Sequence, residues 1–262
     1  MIKLIVFDLD GVLVETKKLH YEAFNKALRD VDTKYEITLE EHLSKYDGLS
    51  TRKKLDLLGC EKGLSGMEFE RIWMRKQLYT SQMLRELKSD DRIINVLSKL
   101  KNDGYTIAVA SNSIRDSVKI TLLKLGFLEY IDFYLSNEDV RHPKPHPEIY
   151  LRAIIESSVS PKETLIIEDS IVGRKAANES GAYLMGINNP TDIIYENIIN
   201  YINSINSSYR KPKWQGGKMN VLIPMAGAGS RFEKAGYTFP KPLIDVRGKP
   251  MIQWVVDNLN VE

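Results

Sequence analysis

Cysteine is almost absent: Cys60 is the single one in 262 residues. One thiol makes no internal disulfide and no multi-cysteine metal site. With no motif around it, Cys60 reads as a buried or incidental side chain rather than a nucleophile. Long apolar runs are missing too. No stretch approaches the roughly 18 residues of a membrane span, and the N-terminus opens on a strand-like segment instead of a charged region followed by a long apolar one. A soluble cytoplasmic protein with no membrane partner is expected. Charge of one sign is also scarce, since 37 Lys and Arg meet 35 Asp and Glu for a formal +2. The small excess lies in the tail, where nine basic residues face four acidic ones from Ser207 onward. We read it as phosphate-handling and solvated linker charge, not as a nucleic-acid surface. What is plentiful is apolar content, 43% of the chain, enough for a sizeable core in one domain or two small ones.

Four short signatures follow one another: Asp8-Leu9-Asp10-Gly11, Ser111-Asn112, Lys144-Pro145 and Glu168-Asp169. Three of them close an apolar run, Leu4 to Phe7, Thr106 to Ala110 and Leu165 to Ile167. Short apolar runs of this kind are buried parallel strands, and open parallel sheets build their sites at the carboxyl ends of the strands. Acids, a hydroxyl and a lysine therefore converge on one rim.

The remaining pattern agrees. A first strand spans 2–7 and a helix 17–31, with Leu19, Ala23, Phe24, Ala27, Leu28 and Val31 on one face. The chain stays helical to about Leu84, and Asp90 is an N-cap for a helix turning Ile93, Ile94, Leu97 and Leu100 inward. Strands at 105–110, 133–136, 164–168 and 182–187 then alternate with helices at 115–125, 147–157 and 172–180. A closing helix, 191–205, places Ile194, Ile198, Ile202 and Ile205 on one side. The fold class is α/β: a doubly wound parallel sheet with a helical block inserted after the first strand. The predicted division is a core of 1–16 and 85–206, a helical cap of 17–84, a linker of 207–218 and a further unit of 219–262.

Asp8, Asp10, Glu168 and Asp169 at one rim repel one another, and a phosphate dianion would worsen this. A divalent cation with Lys144 brings the site to neutrality if one carboxyl keeps its proton. Oxygen ligands that leave room for water and phosphate suit Mg²⁺.

These motifs, FDLDGVLVET, VASNS, the Lys-Pro of RHPKPHPEIY and IIEDSIVGRKAANESGA, resemble those of the haloacid dehalogenase superfamily of phosphotransferases over residues 1 to about 190. Their order is similar to the branch that holds β-phosphoglucomutase and many small sugar-phosphate phosphatases. The resemblance implies a Rossmann-like core and Asp8 as the nucleophile that forms an aspartyl phosphate. Asp10 is implied as general acid and then base, with a pKa raised by its anionic surroundings. Ser111 and Asn112 would donate to the phosphoryl oxygens, and Lys144 would neutralise Asp8 and the phosphoryl group. Mg²⁺ would be held by Asp8, the Asp10 main-chain carbonyl, Glu168 and Asp169. Gly11 would allow a tight turn. Two positions depart from the pattern: His142-Pro143 precedes the lysine, and Arg174 stands where an apolar residue is common and is expected to lie in solvent.

At the start of the cap, Thr16 and His20 lie one helical turn apart and are substrate-binding candidates; a histidine at the His20 position in the mutase branch contacts Asp10 and the sugar, while the face His20 shares with Phe24 and Ala27 offers a core histidine as the alternative. Asp47-Gly48-Leu49-Ser50-Thr51-Arg52 resembles the cap loop that enters the site, with Gly48 and Arg52 as substrate-binding candidates. In the mutase an arginine stands three residues after that glycine, where this chain has Thr51, and the segment after Ser111 lacks the mutase's lysine in register. Both features favour a phosphatase. A Schiff-base role for Lys17 or Lys53 has no specific signal. His42 and His146 have no motif and are expected at the surface.

From Met219 a strand leads into Gly227-Ala228-Gly229-Ser230-Arg231, with Pro240-Lys241-Pro242 and Gly248-Lys249-Pro250 beyond. This resembles the opening of a sugar-1-phosphate nucleotidyltransferase and implies vestigial nucleotide contacts at Gly227, Gly229, Arg231 and Lys241. The unit reads as a truncated piece without transferase activity. The expected function is a Mg²⁺-dependent, monomeric phosphatase of a small phosphorylated sugar or related metabolite, linked to nucleotide-sugar and surface-glycan synthesis. A sugar phosphomutase is the alternative, and a non-catalytic binding module the third.

Overall fold

The computed structural model describes residues 1–208 and two dipeptide strands, Asp245–Val246 and Lys249–Pro250. The chain divides into two units, residues 1–210 and 211–262. Of the second, the described residues are a short antiparallel pair, β6 (Asp245–Val246) with β7 (Lys249–Pro250).

The first unit is built on five parallel strands: β1 (Leu4–Phe7), β2 (Thr106–Ala110), β3 (Phe133–Leu135), β4 (Thr164–Glu168) and β5 (Tyr183–Gly186). Their order is β3-β2-β1-β4-β5, so the strand order reverses at β1, the position where α/β sheets open a crevice. Leu4 pairs with both Thr106 and Thr164, and Phe7 with both Val109 and Ile167, which aligns the carboxyl ends of the three central strands. Strand alternation separates two cores. Ile5, Phe7, Ile107, Val109, Leu165 and Ile167 pack on one face with helices α5 (Asp91–Asn102), α6 (Arg115–Lys124) and α9 (Tyr195–Ser208). Leu4, Val6, Ala108, Ala110 and Ile166 pack on the other with α7 (Glu148–Glu156) and α8 (Ile171–Glu179). The Asp90 side chain caps α5 as expected, accepting from the Arg92 N–H. The closing helix begins four residues later than predicted, because Pro190–Asp192 forms a 3₁₀ turn first, and Ile194 before the helix is 41% exposed instead of facing the core.

Between β1 and β2 the chain is helical, comprising α1 (Lys17–Arg29), the single turn α2 (Leu39–Glu41) running into a π-type turn at His42–Tyr46, α3 (Thr51–Lys62) and α4 (Gly66–Leu84). This insertion has an apolar cluster of its own, centred on Phe24, Leu28, Tyr46, Leu55, Leu58 and Ile72. Buried Asn25 braces it by donating to the Ile37 carbonyl at 2.7 Å and accepting from the Ile37 N–H at 3.0 Å. Among the described residues no helix is long and apolar enough to cross a membrane. Cys60 is exposed, an incidental thiol.

Candidate active site

The rim above β1 collects the predicted side chains of the core. Asp8 leaves β1 directly, its N–H donating to the Ile167 carbonyl at 3.0 Å, and is buried. Lys144 reaches it from the loop after β3. The ammonium is 2% exposed and donates to Asp8 Oδ1 at 2.8 Å, Glu168 Oε1 at 2.5 Å and the Ala110 carbonyl at 2.9 Å. Burial alone would lower the Lys144 pKa, but the charges of Asp8 and Glu168 outweigh it and raise the value. Asp8 behaves oppositely. Burial and the charge of Glu168 push it well above the ordinary carboxylate range, against the pull of Lys144.

Glu168, at the end of β4, is fully buried and fully engaged. Oε1 accepts from Lys144 and from the Tyr150 hydroxyl at 2.6 Å, and Oε2 from the N–H groups of Asp169 and Ser170 at 3.1 and 3.2 Å. Space for this carboxylate exists because residue 173 is glycine: a Cβ there would stand 1.8 Å from Oε1. Gly11, at φ +89°, plays a comparable part, since its Cβ would stand 2.2 Å from Asp169 Oδ2.

Carboxylate oxygens of Asp8, Glu168 and Asp169 lie within 4.8 Å of one another. Among the described residues Asp169 Oδ1 is buried without a hydrogen-bond partner, and the Oδ2 contact is the Lys17 ammonium at 2.6 Å. An orphaned oxygen in a nest of three acids fits a hard divalent cation.

Asp10 is set apart from this group. Oδ1 accepts from the Thr16 hydroxyl and lies 3.0 Å from His20 Nε2; Oδ2 accepts from the Ser113 and Ser111 hydroxyls at 2.9 and 3.3 Å. Burial raises its pKa, but His20, which faces and hydrogen-bonds it, and the Thr16 and Ser113 hydroxyls outweigh that, so the net movement is far downward. The expected raised value therefore belongs to Asp8, not Asp10. Crowding by acids is relieved at Asp10 by four local donors.

Asn112 does not point at an open position. Its amide donates to the Gly48 carbonyl at 2.7 Å and the Lys144 carbonyl at 3.2 Å, and its Oδ1 accepts from the Lys144 N–H at 3.0 Å. It thus ties the Lys144 loop to the loop of the insertion. Gly48, at φ +72°, lines the cavity against Ser170. Arg52 is not brought to the site: its guanidinium is exposed, pairs with Glu70 at 2.7 Å and lies over the Trp73 ring. Nor does Arg174 lie free in solvent. It donates to the Ile187 carbonyl at 2.5 Å beside Gly186, which offers no side chain to block it.

The insertion closes a cavity of about 60 Å³ over Asp8, Asp10, Ser111 and Lys144. Several lining side chains were not anticipated. His42 is 1% exposed, not at the surface, because the π-type turn points it inward with its ring edge-on to Tyr21. Burial first, and the neighbouring lysines after it, lower its pKa to about 3. Lys54 and Lys76 also face the cavity, Lys76 Nζ standing 3.5 Å from His20 Nδ1. Ser113 and Tyr150 complete the unforeseen partners. His146 stays exposed as expected. Gly227, Gly229, Arg231 and Lys241 lie outside the described residues.

Comparison with known proteins agrees with this geometry. Residues 5–187 match the family profile described as haloacid dehalogenase-like hydrolase. The chain belongs to that family. Among curated haloacid dehalogenase-like relatives, β-phosphoglucomutase of Bacillus subtilis is 27% identical over 192 residues, covering 71% of this chain and 83% of its own. A phosphorylated carbohydrates phosphatase of Thermotoga maritima is 26% identical over 181 residues, covering 68% and 81%. Among solved structures, β-phosphoglucomutase from Clostridium difficile superposes with a TM-score of 0.69 at 25% identity, over 80% of this chain and 99% of that one. As a haloacid dehalogenase-like hydrolase, the protein is an enzyme of the phosphatase and phosphomutase group.

Proposed function

We propose that the protein is a Mg²⁺-dependent phosphatase of a small sugar phosphate, working through an aspartyl phosphate on Asp8. The observation that carries this is the Asp8 carboxylate itself, buried against Lys144 at 2.8 Å and grouped with Glu168 and Asp169 within 4.8 Å. Asp8 attacks phosphorus and the bond to the substrate oxygen breaks, that oxygen taking a proton from Asp10. Water then attacks the same phosphorus, its proton passing to Asp10, and the bond to Asp8 breaks to release phosphate. The lowered pKa of Asp10, set by His20, Thr16 and Ser113, favours the ionised form that the second half needs. The first half needs a proton on Oδ2, where Ser113 and Ser111 now donate. Lys144 lowers the charge that Asp8 presents to the incoming dianion. Asp8, Glu168, Asp169 and the Asp10 carbonyl would hold Mg²⁺, which supplies positive charge beside the phosphoryl oxygens.

The cavity over Asp8 is narrow, about 60 Å³, and lies between the rim and the helical insertion. Residues 17–84 act in this reading as a cap over the site, contacting the leaving group and excluding solvent. The mutase reading draws on the likeness to β-phosphoglucomutase. Against it, Thr51 stands where the mutase carries its arginine, and Arg52 turns to Glu70. The motifs of 219–262 connect the reaction to the supply of sugar 1-phosphates for nucleotide sugars. Phosphate release from a panel of sugar phosphates, with Mg²⁺ and with EDTA, tests the reading. Asp8→Asn should abolish release, and turnover unchanged by that substitution refutes it. Interconversion of glucose 1-phosphate and 6-phosphate that needs a bisphosphate primer selects the mutase.

A further inference from the structure

Lys17 takes no part in the steps above, yet its ammonium sits among the acids. It is the first residue of α1, and the side chain reaches back to the rim. Nζ stands 2.6 Å from Asp169 Oδ2 and 3.4 Å from Asp47 Oδ2. Asp169 follows β4 in the core, and its side chain is fully buried. Asp47 lies in the insertion, in the loop between the π-type turn and α3. One ammonium is thus divided between an acid of the core and an acid of the insertion. Room for its stem depends on Gly11, where a Cβ would stand 2.8 Å from Lys17 Cε.

Two lysines share the three acids of the nest. Lys144 serves Asp8 and Glu168 and also donates to the Ala110 carbonyl, so it is held on three sides at 2% exposure. Asp169 is left to Lys17, whose side chain is 22% exposed and whose second partner lies outside the nest. The two oxygens of Asp169 differ accordingly. Oδ2 carries the ammonium; Oδ1 is buried and unpartnered among the described residues. A divalent cation on that carboxylate and an ammonium on the same carboxylate repel each other strongly in a buried site. Asp47 offers the ammonium another place, so Lys17 can leave Asp169 without losing a counter-charge.

We propose that Lys17 is a positioning residue for metal loading: it neutralises Asp169 in the metal-free protein and yields that carboxylate to Mg²⁺ by moving onto Asp47. This rests on the Mg²⁺ reading of the nest and adds to it a residue of the insertion. The Lys17–Asp169 pair, one tie between insertion and core, belongs to the metal-free protein. Loading hands the ammonium to the insertion loop beside Gly48, whose carbonyl accepts from Asn112 at 2.7 Å.

Calorimetric titration of the full chain with Mg²⁺, in the absence of substrate, tests this together with thermal melts in EDTA. Lys17→Met should bind Mg²⁺ roughly fivefold or more tightly than the parent, because the competing charge is gone. In EDTA the same variant should melt at a lower temperature, because buried Asp169 has lost its cation. General damage to the fold lowers stability and affinity together and does not give this opposition. Asp47→Asn removes the alternative partner of Lys17, so it should weaken Mg²⁺ binding about threefold or more in the parent. In the Lys17→Met background it should have almost no effect. Lys17→Arg keeps the charge and should bind Mg²⁺ close to the parent value. Where Lys17→Met does not fold in EDTA, Lys17→Gln carries the same expectation for affinity. The proposal is overturned if neutral variants at position 17 bind Mg²⁺ no more tightly than the parent. It is overturned equally if Lys17→Arg binds as tightly as they do, or if Asp47→Asn has the same effect in both backgrounds. Each of these leaves the metal reading in place, whereas a parent chain that binds no Mg²⁺ removes both.

Discussion

Gly173→Ala sets two effects of opposite sign against each other. Glycine to alanine inside a helix ordinarily stabilises by about 1 kcal/mol. Here the new Cβ would lie 1.8 Å from Glu168 Oε1, 2.0 Å from Cδ and 2.2 Å from Oε2. Ordinary carbon–oxygen contact begins near 3.3 Å, so the carboxylate must retreat by about 1 Å or more. Retreat breaks the charge-assisted bonds from Lys144 at 2.5 Å and Tyr150 at 2.6 Å and weakens three longer ones from Asp169 and Ser170. At about 1.5–3 kcal/mol for each bond to a charged group, two such losses come to roughly 3–6 kcal/mol. The net expectation is destabilisation of about 2–5 kcal/mol. Urea unfolding measures it through the midpoint at constant m. The same displacement moves an oxygen of the proposed cation nest, so the Mg²⁺ concentration for half-maximal phosphatase activity should rise at least tenfold. A variant as stable as the parent, with an unchanged Mg²⁺ requirement, would refute both the structural and the metal-holding role of Glu168.

Lys144→Met leaves Asp8 and Glu168 buried with their shared cation gone; it should destabilise by about 3–5 kcal/mol in urea unfolding and abolish turnover. Lys144→Arg should not rescue activity, because the position is 2% exposed and filled. In EDTA, the raised pKa of Asp8 means the folded chain binds more protons than the unfolded one above the ordinary aspartate value of about 3.9. Stability contributed by that proton is therefore lost as pH rises toward the folded value. Asp8→Asn should flatten this slope and melt a few degrees higher than the parent at pH 7, as thermal scans from pH 4 to 8 will show. Asp10 has the opposite sign: its lowered pKa gives stability that is present above the unfolded value and lost as pH falls through the folded one. Thr16→Val and Ser113→Ala each delete a donor to it, and each should move the acid limb of the kcat/KM profile upward by about one to two pH units.

The core was legible because its signals are local. Runs such as Leu4 to Phe7 and Leu165 to Ile167 end in the acids they present, and strand alternation made both faces apolar. Asp8, Lys144, Glu168 and Asp169 accordingly stand together as the motif order implied. The insertion was read less well, because there the helices turn on tertiary fit. Lys54 and Lys76 look like the solvated positions of amphipathic helices, and only the closure of the insertion over the rim buries them. His42 carries no motif, and its inward direction comes from a π-type turn that has no simple sequence period. The protonation of Asp10 was misjudged for a different reason. Counting acids at the rim gave the right repulsion but assigned it to the wrong carboxylate, since Thr16, just before the next helix, and His20, on it, engage Asp10.

The apolar cluster around Phe24, Tyr46, Leu55 and Ile72 shares none of its buried residues with the two that flank the sheet. On the proposed function, chemistry and recognition therefore have separate foundations. The wall formed by the insertion can then be redrawn, residue by residue, while the pairing of β1 with its neighbours keeps Asp8 where it is. Transplanting a foreign helical block between Glu15 and Leu87 is the engineering form of the same freedom, and on that reading it changes the preferred ester and leaves Asp8 in place.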